Sequence, residues 1–460
     1  MEDSNGTVRA SAVTRLSARQ SLMVGVTLFS MFFGAGNLIL PPLLALQAGA
    51  DSVPAMIGFL VTAIGLPVMG IVAVALAGTA RDLAGRVHPR FAGIFVAAVY
   101  LAIGPCLAIP RTSSTAFEML APLLPADAPL EIVRLVFSVA FFVVAYALAM
   151  HPNSLTKLLG RITGPALIVL IVAVVGSALL APAGAPQTPQ PPYAGNAAVQ
   201  GFLTGYQTMD LLASLTFGLV IAQNIRSFGV TDARGLTREV SRAGLVAGIL
   251  MALIYCGLAF VGAGFGTVMP DATNGAAILT ASATLHFGVV GTVVVAAIFL
   301  LACLNVCIGL ISCCGTYFAE TFGAAAPNPA VRKLGRVPYA AWAGAFAAFS
   351  CFVSNFGLDA ILTFSVPLLN ALYPVSIVLV LMGMAHRVCD RLPQLWPWVA
   401  GVTAAVSVVV AVRDAFAPTV TLPLDALPLA DIGLGWVIPA AGAAIIGTIH
   451  ALAVCARRER

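Results

Sequence analysis

Two glycines near the N-terminus lie in a pattern that suits the binding of a carboxylate and a cation. The segment Ser30–Asn37 reads SMFFGAGN, and Pro41-Pro42 follows it. Glycines allow an extended or left-handed backbone, and paired prolines are expected to stop ordinary helical hydrogen bonding beyond them. In unwound backbone, free N–H groups can hold a carboxylate and free carbonyls a cation. The alternative interpretation is a Gly-Pro packing kink.

A second polar cluster ends in a carboxylate at Asp210. The segment 201–210 reads GFLTGYQTMD and interrupts an otherwise apolar stretch. An acid in hydrocarbon costs ~2.5–3.5 kcal/mol on insertion scales. We therefore expect Asp210 to face the protein interior and to meet a cation or a hydrogen-bond donor. The alternative is a structural acid paired with a helix end or an arginine.

Polar residues in two further apolar stretches are weaker candidates. Arg111 and Glu118 are seven residues apart, so on a helix they share a face. We favour a structural ion pair between these two side chains, at the outer mouth of the protein, over direct contact of either one with a substrate. Asn305 and Ser312 lie in a later stretch, where a lone serine most often bonds its own backbone.

The elements that position these residues must be membrane helices. Of 460 residues, 60% are hydrophobic and 9% charged, with a mean hydropathy of +1.01, whereas a soluble domain carries roughly 25% charged residues. This composition excludes a soluble enzyme, and the scattered basic residues exclude nucleic-acid binding. Metal-ligand histidine spacing, G-x-S-x-G and P-loop patterns are absent from the sequence. A gradient-driven carrier is therefore favoured over an enzyme, and also over a channel, because only two interrupted stretches are visible.

Twelve apolar stretches are long enough for spanning helices of about 20 residues. With the N-terminus and even-numbered loops in the cytoplasm, all of the 23 lysines and arginines except Arg111, Arg134 and Arg413 lie inside. This is the positive-inside pattern, so we expect twelve spans and two cytoplasmic termini. Long continuous apolar runs indicate helices, not the alternating strands of a barrel. The stretches are 20–47, 53–77, 90–120, 132–150, 161–181, 201–225, 243–266, 285–318, 338–354, 359–384, 394–412 and 434–456.

The uncharged, Ala-Pro-rich segment 182–200 is the clearest division of the chain. As an extracytoplasmic linker it separates five spans in 20–181 from five in 201–384. Residues 1–19 then form a cytoplasmic tail, and 385–460 hold two more spans and the C-terminus. The interrupted segments fall in spans one and six, which are corresponding positions of the two halves. Such a pair is a pointer to a transporter binding site.

A series of motifs runs in order through the first ten spans. They are FGAGN at 33–37 with Pro41-Pro42, GFLVTAIGLPVMG at 58–70, GPCLAIPR at 104–111, GFLTGYQTMD at 201–210, NGAAIL at 274–279, ACLNVCIGL at 302–310 and SNFGLDAILTFSVPLLNALYP at 354–374. These motifs resemble those of the branched-chain amino acid:cation symporters, also called branched-chain amino acid transport system II carriers. The resemblance implies an all-α polytopic membrane protein with the LeuT-like five-plus-five inverted repeat and broken helices 1 and 6. It also implies sodium-coupled import of leucine, isoleucine and valine across a bacterial cytoplasmic membrane.

The resemblance further implies which residues bind the substrate and the first ion. The N–H groups of Ala35 and Gly36 would hold the substrate carboxylate. The amide oxygen of Asn37, the carbonyl of Phe32 and Thr208 would bind one sodium ion.

By the same resemblance, a second sodium ion would lie at the carbonyls of Ser30, Phe33 and Ile308 and the hydroxyl of Ser312. The sequence departs from the pattern at Ile311, where a second hydroxyl is expected. The second site is therefore weakened or rebuilt with another group, such as Asn305.

The chemistry of the substrate adds further expectations. Its ammonium needs acceptors, which the unwound carbonyls around Gly34, Tyr206, Thr208 or Asp210 can supply. The candidates for a dry pocket are Phe32, Phe33 and Tyr206. Because one methylene is worth only ~1–3 kcal/mol, we expect broad recognition of leucine, isoleucine and valine. A carrier of another small apolar amino acid is the alternative.

The coupling ion is expected to be sodium. Proton-coupled relatives on this fold often carry a lysine in span five, and residues 162–181 contain none. Asp210 keeps the proton alternative open, because a buried acid can carry a proton.

Overall fold

The described part of the protein is built from helices joined by turns, with longer, largely irregular segments at 181–196 and 417–436. A computed structural model describes residues 15–125, 127–151, 159–322 and 337–458, and these ranges contain no β-strand. The all-α class expected from the sequence is confirmed. Some of the basic residues assigned to the cytoplasm lie outside the described ranges: Arg9, Lys157, Arg332, Lys333, Arg336 and Arg460.

Three π-helical segments, Val61–Gly65, Ala102–Cys106 and Leu159–Thr163, each lie just before an α-helix. The α-helices are numbered in chain order. They are α1 (Ala18–Phe32), α2 (Ala35–Ala48), α3 (Ser52–Leu60), α4 (Leu66–Ala77), α5 (Ala80–Gly85), α6 (Pro89–Leu101), α7 (Ala108–Leu120), α8 (Leu130–Ala149), α9 (Gly164–Leu180), α10 (Ala197–Thr204), α11 (Asp210–Ser227), α12 (Ala233–Gly264), α13 (Gly275–Phe287), α14 (Val289–Thr321), α15 (Tyr339–Ser354), α16 (Leu358–Met384), α17 (His386–Cys389), α18 (Leu395–Phe416) and α19 (Val437–Arg458).

The helices differ in whether they can cross a bilayer alone. Within the described ranges, nine helical stretches are long and apolar enough, and the bent pair of α10 and α11 makes a tenth. One of the nine is the continuous stretch Ala35–Ala77, which joins α2 to α4. The count of twelve spans stays a prediction. The remaining two would use α1 with 15 residues and α15 with 16, each shorter than the ~20 residues that a bilayer requires.

The first span is broken at the predicted place. α1 ends at Phe32, and Phe33 follows in an extended conformation (φ −75°, ψ 91°). Gly34 is also extended (φ −118°, ψ −162°), and α2 begins at the next residue. The break therefore leaves the end of one helix and the start of another inside the protein.

Pro41 and Pro42 lie inside α2 and do not end it. The expectation that they stop helical hydrogen bonding is wrong. Proline removes an N–H donor, but membrane helices tolerate it where neighbouring helices support the segment. Packing on α12 provides this support, because a Cβ at Gly262 would overlap the carbonyl oxygen of Pro42. Only glycine leaves room for so close a contact between the two backbones.

The sixth predicted span is also broken. α10 passes into a 3₁₀ turn at Gly205–Thr208, and Met209 adopts a left-handed conformation with φ 64°. α11 then begins at Asp210, bent by 45° from the preceding helix. Left-handed backbone is unfavourable for a side chain of this size, so the surrounding packing holds the break in place.

The two broken spans lie together in the core. α1 and α2 pack against α12, α11 packs against α4, and α10 packs against α3. Large side chains without solvent exposure fill these contacts: Phe29, Phe33, Phe59, Phe217 and Tyr255. α7, α14 and α15 pack on one another beside this group, and α16, α18 and α19 pack in succession.

Candidate functional site

The two helix breaks border one small cavity. Ala35, the first residue of α2, and Asp210, the first residue of α11, both line it. Its volume is about 50 Å³, which leaves room for only a few water molecules. The cavity brings together many of the residues singled out from the sequence: Phe32, Gly34, Ala35, Gly36, Asn37, Arg111, Thr208 and Asp210.

Asp210 joins the two broken spans through hydrogen bonds. Asn37 Nδ2 donates to Asp210 Oδ2 at 2.8 Å and to the Tyr255 hydroxyl at 2.5 Å. The Tyr255 hydroxyl in turn donates to Asp210 Oδ2 at 3.5 Å. The backbone N–H of Asp210 donates to Thr208 Oγ1 at 3.3 Å. The expectation that this acid faces the interior and meets hydrogen-bond donors is confirmed.

The position of Asp210 also fits a structural role. It is the first residue of α11, and the N-terminal end of a helix stabilises a negative charge. The carboxylate thus links the two breaks and borders the cavity at the same time. Asp210 is only 2% exposed, and it lines this cavity.

Arg111 does not pair with Glu118, and the expected ion pair at the outer mouth is wrong. In the described parts of the chain, Arg111 Nη1 donates instead to the backbone carbonyl of Gln207 at 2.9 Å. Glu118 borders a separate groove with Asn274 and Thr280. Seven residues along a helix rise by ~10 Å, so one side chain reaches the cavity while the other stays near the end of α7.

Aromatic residues are divided between the cavity and its surroundings. Phe32 lines the cavity and packs on Phe217 with ring centroids 5.2 Å apart. Phe33 is fully buried and packs on Tyr255 at 6.0 Å, behind the residues that line the cavity. Tyr206 stacks on the ring of Tyr373 at 4.4 Å and borders a different cavity.

That second cavity, of about 310 Å³, lies on the other side of the Gly205–Thr208 turn. Tyr206 and Gln207 line it, whereas Thr208 lines the smaller cavity. A single helical turn therefore separates the two spaces. Among the residues of the larger cavity, Arg413 Nη1 donates to Asp425 Oδ2 at 2.7 Å, and this hydrogen bond holds the pKa of Asp425 below its ordinary value.

The residues expected to form a second sodium site make separate contacts with different partners. The Ser30 hydroxyl donates to the Leu159 carbonyl at 3.3 Å, and the Tyr339 hydroxyl donates to Ser312 Oγ at 3.4 Å. Ile308 and Ile311 are buried in α14. Asn305 is fully buried, and neither atom of its amide group has a hydrogen-bond partner in the described ranges.

Three parts of this site were missed by the sequence analysis. Gln207 contributes only its backbone carbonyl. Every residue has this group, so the residue type at position 207 could not indicate the contact. Phe217 is one apolar residue among many in α11. Tyr255 is a lone tyrosine in the middle of the apolar α12, and its hydroxyl was the one available signal.

The described residues form an all-helical fold in which two broken spans border one small cavity, and this is the fold of the LeuT-like class. The solved structure of Mhp1, a nucleobase-cation-symport-1 family transporter in a closed conformation, superposes with a TM-score of 0.56. The match covers 95% of this chain and 93% of that chain at 13% identity. The chain belongs to the branched-chain amino acid transport protein family, whose model matches residues 17–454.

Named relatives match nearly the whole length of the chain. Branched-chain amino acid permease BraB of Bacillus subtilis is 35% identical over 441 residues, which is 95% of this chain and 96% of the relative. Branched-chain amino acid transport system 3 carrier protein of Pseudomonas aeruginosa is 38% identical over 451 residues, 97% of each. The family expected from the sequence motifs is confirmed.

Proposed function

We propose that the protein is a secondary active symporter that imports leucine, isoleucine and valine with sodium by alternating access. One observation carries the proposal: the cavity between the breaks combines the start of α2 with the buried carboxylate of Asp210. A helix N-terminus attracts an anion and a carboxylate attracts a cation, so the two charges of an amino acid find complementary groups. The names of the relatives support branched-chain amino acids as the substrate class.

The substrate would lie across the helix breaks. The N–H groups of Ala35 and Gly36 receive its carboxylate, and Thr208 and Asp210 accept from its ammonium. Phe32 and Phe217 lie on the same cavity and form an apolar wall for the aliphatic side chain. Tyr206 contributes from the larger cavity, on the path by which a substrate reaches the breaks.

The first sodium ion would bind beside the substrate at the Phe32 carbonyl, the Asn37 amide oxygen and Thr208. Because the Nδ2 group of Asn37 donates to Asp210, its amide oxygen lies on the other side of the amide group. That oxygen is therefore free to face a cation and not the carboxylate.

The second sodium ion would bind between α1 and α14. Its ligands are the carbonyls of Ser30, Phe33 and Ile308, with Ser312 or Asn305 as the side-chain ligand. The support for Asn305 is its buried amide group, which has no hydrogen-bond partner within the described residues. Buried polar atoms without a partner are rare in native proteins, and the amide oxygen of Asn305 is the atom that could bind a cation.

Transport by alternating access is supported by the sizes of the two cavities. The cavity at the breaks holds about 50 Å³, far below the ~300 Å³ at which ordinary ligand pockets begin. Leucine therefore requires this cavity to widen. The Gly205–Thr208 turn is the thin barrier between it and the larger cavity, so movement of α10 would open one space to the other.

A proton-coupled carrier is the second candidate function. The observation in its favour is the burial of Asp210, which is 2% exposed and lines the substrate cavity. Protonation of this carboxylate on one side of the membrane and its release on the other would couple transport to a proton gradient.

Uptake of radiolabelled leucine into proteoliposomes distinguishes these functions. With an inward sodium gradient we expect accumulation that isoleucine and valine compete with and that choline in place of sodium abolishes. Accumulation driven only by a pH gradient would contradict both sodium sites and assign coupling to Asp210. Absence of uptake under either gradient would contradict the assignment of branched-chain amino acids as substrates.

A further inference from the structure

Arg111 is a buried charge with fewer hydrogen-bond partners than it needs. The residue is 7% exposed and lines the cavity at the helix breaks. Its Nη1 donates to the Gln207 carbonyl at 2.9 Å, but its Nε is buried and has no partner among the residues that the structure describes. A guanidinium has five N–H donors, and burying a charge without partners is costly. The side chain therefore requires an acceptor that comes from the cavity.

The start of α2 lies against the same guanidinium. An ideal Cβ at Gly36 would be 3.1 Å from Arg111 Nη2, so the arginine rests on the first turn of this helix. The first N–H groups of a helix have no partner within it, and Gly34, which precedes α2, carries no side chain to cap them. The first turn of α2 and the Arg111 guanidinium thus both bring positive potential to the same side of the cavity.

Asp210, the opposite charge in the cavity, attracts Arg111, but within the described residues no direct ion pair joins the two side chains. Asp210 also lines the cavity, but across the described residues the ion pairs of the protein involve other side chains. Asp210 accepts instead from Asn37. The cavity therefore presents one positive and one negative side chain, each available to a ligand that carries both charges.

We propose that Arg111, together with the N-terminus of α2, binds the α-carboxylate of the amino acid substrate. This inference rests on the proposed function and adds a residue to its binding site. A planar guanidinium can bind a carboxylate through two parallel N–H···O bonds. The carboxylate thereby gains a positive partner that belongs to the protein, and Asp210 remains for the ammonium group.

The inference predicts that the protein strongly prefers a ligand with a free carboxylate over one without it. Leucinamide has the side chain and ammonium of leucine but a neutral amide in place of the carboxylate. For the wild-type protein we expect it to bind about a hundred-fold more weakly than leucine, in the range for truncation of one partner of a buried charge pair.

Calorimetric titration of the purified protein in sodium-containing buffer with leucine and with leucinamide tests this assignment. In Arg111→Gln we expect leucine affinity to fall about a hundred-fold while leucinamide affinity changes little, so that the preference disappears. Arg111→Lys keeps the charge without the planar fork and should retain part of the preference. Arg134→Gln is the matched control, because that arginine lies over the ring of Phe117 and away from the cavity residues.

Equal affinity of the wild-type protein for both ligands would overturn this inference together with carboxylate binding at the start of α2, and an equal loss of both ligands in Arg111→Gln would overturn the inference alone. The first requires no variant, so it applies even if Arg111→Gln fails to fold. A wild-type protein that binds no leucine would overturn the proposed function and this inference together.

Discussion

Asp210 is the residue in which a structural role and the proposed transport role are most closely joined. Its carboxylate accepts from Asn37 and Tyr255, and it also borders the cavity at the helix breaks. An uncharged residue of the same size preserves the packing but removes the negative charge. Substitution by asparagine therefore separates the two roles.

We expect Asp210→Asn to lower leucine uptake at least ~10-fold, because hydrogen bonds to charged groups contribute ~1.5–3 kcal/mol. The amount of protein in the membrane should be unchanged. Uptake into membrane vesicles, normalised to the protein content of the membrane fraction, measures the effect. Asp127→Asn is the control, since this acid is exposed in a loop. Undiminished uptake by Asp210→Asn would contradict the proposal that span six forms part of the binding site.

At the level of elements, the contact between α2 and α12 determines whether the broken first span keeps its shape. Pro41 and Pro42 weaken the hydrogen bonding of α2, and the close approach of Gly262 to the Pro42 carbonyl supports the helix from outside. The orientation of the first N–H groups of α2 toward the cavity depends on this packing.

We expect Gly262→Ala to destabilise the protein by ~1–3 kcal/mol, the usual cost of overpacking a core. The added methyl group must push the two backbones apart. Gly264→Ala is a close control, because its Cβ would meet no heavy atom of the described structure within 4 Å. Thermal unfolding of both purified variants provides the measurement. Equal melting temperatures would show that α2 and α12 do not pack as described.

The helix breaks were only partly predictable from the sequence. The glycines at 34 and 36 and the polar run at 204–208 indicated both breaks correctly. The left-handed Met209 was not predicted, because methionine carries no preference for that conformation. Its conformation results from the packing of α10 on α3 and of α11 on α4, which no local pattern reveals.

At the scale of the whole molecule, the distribution of charge sets the orientation in the membrane. We propose that both termini are cytoplasmic and that the 182–200 linker faces outward, since 20 of the 23 basic residues then lie inside. We expect a fluorescent protein fused after Arg460 to fluoresce and alkaline phosphatase at that position to be inactive. Alkaline phosphatase inserted at Gly184 should be active. An inactive alkaline phosphatase at Gly184 together with an active one after Arg460 would show the opposite orientation in the membrane.

The sequence by itself determined the membrane class, the helical architecture, the family and the location of the two breaks. These properties follow from apolar length, charge distribution and local backbone preference, which act over a few residues to one helix. The tertiary structure decided which polar groups meet: Arg111 contacts Gln207 and the turn at Gly36, and Asn37 contacts Asp210. Side chains seven residues apart on a helix are separated by ~10 Å, whereas residues 173 positions apart can be in contact once the helices pack. Spacing along the chain therefore favoured Glu118 as the partner of Arg111, and only the packing of α7 against the broken spans shows that this arginine belongs to the cavity.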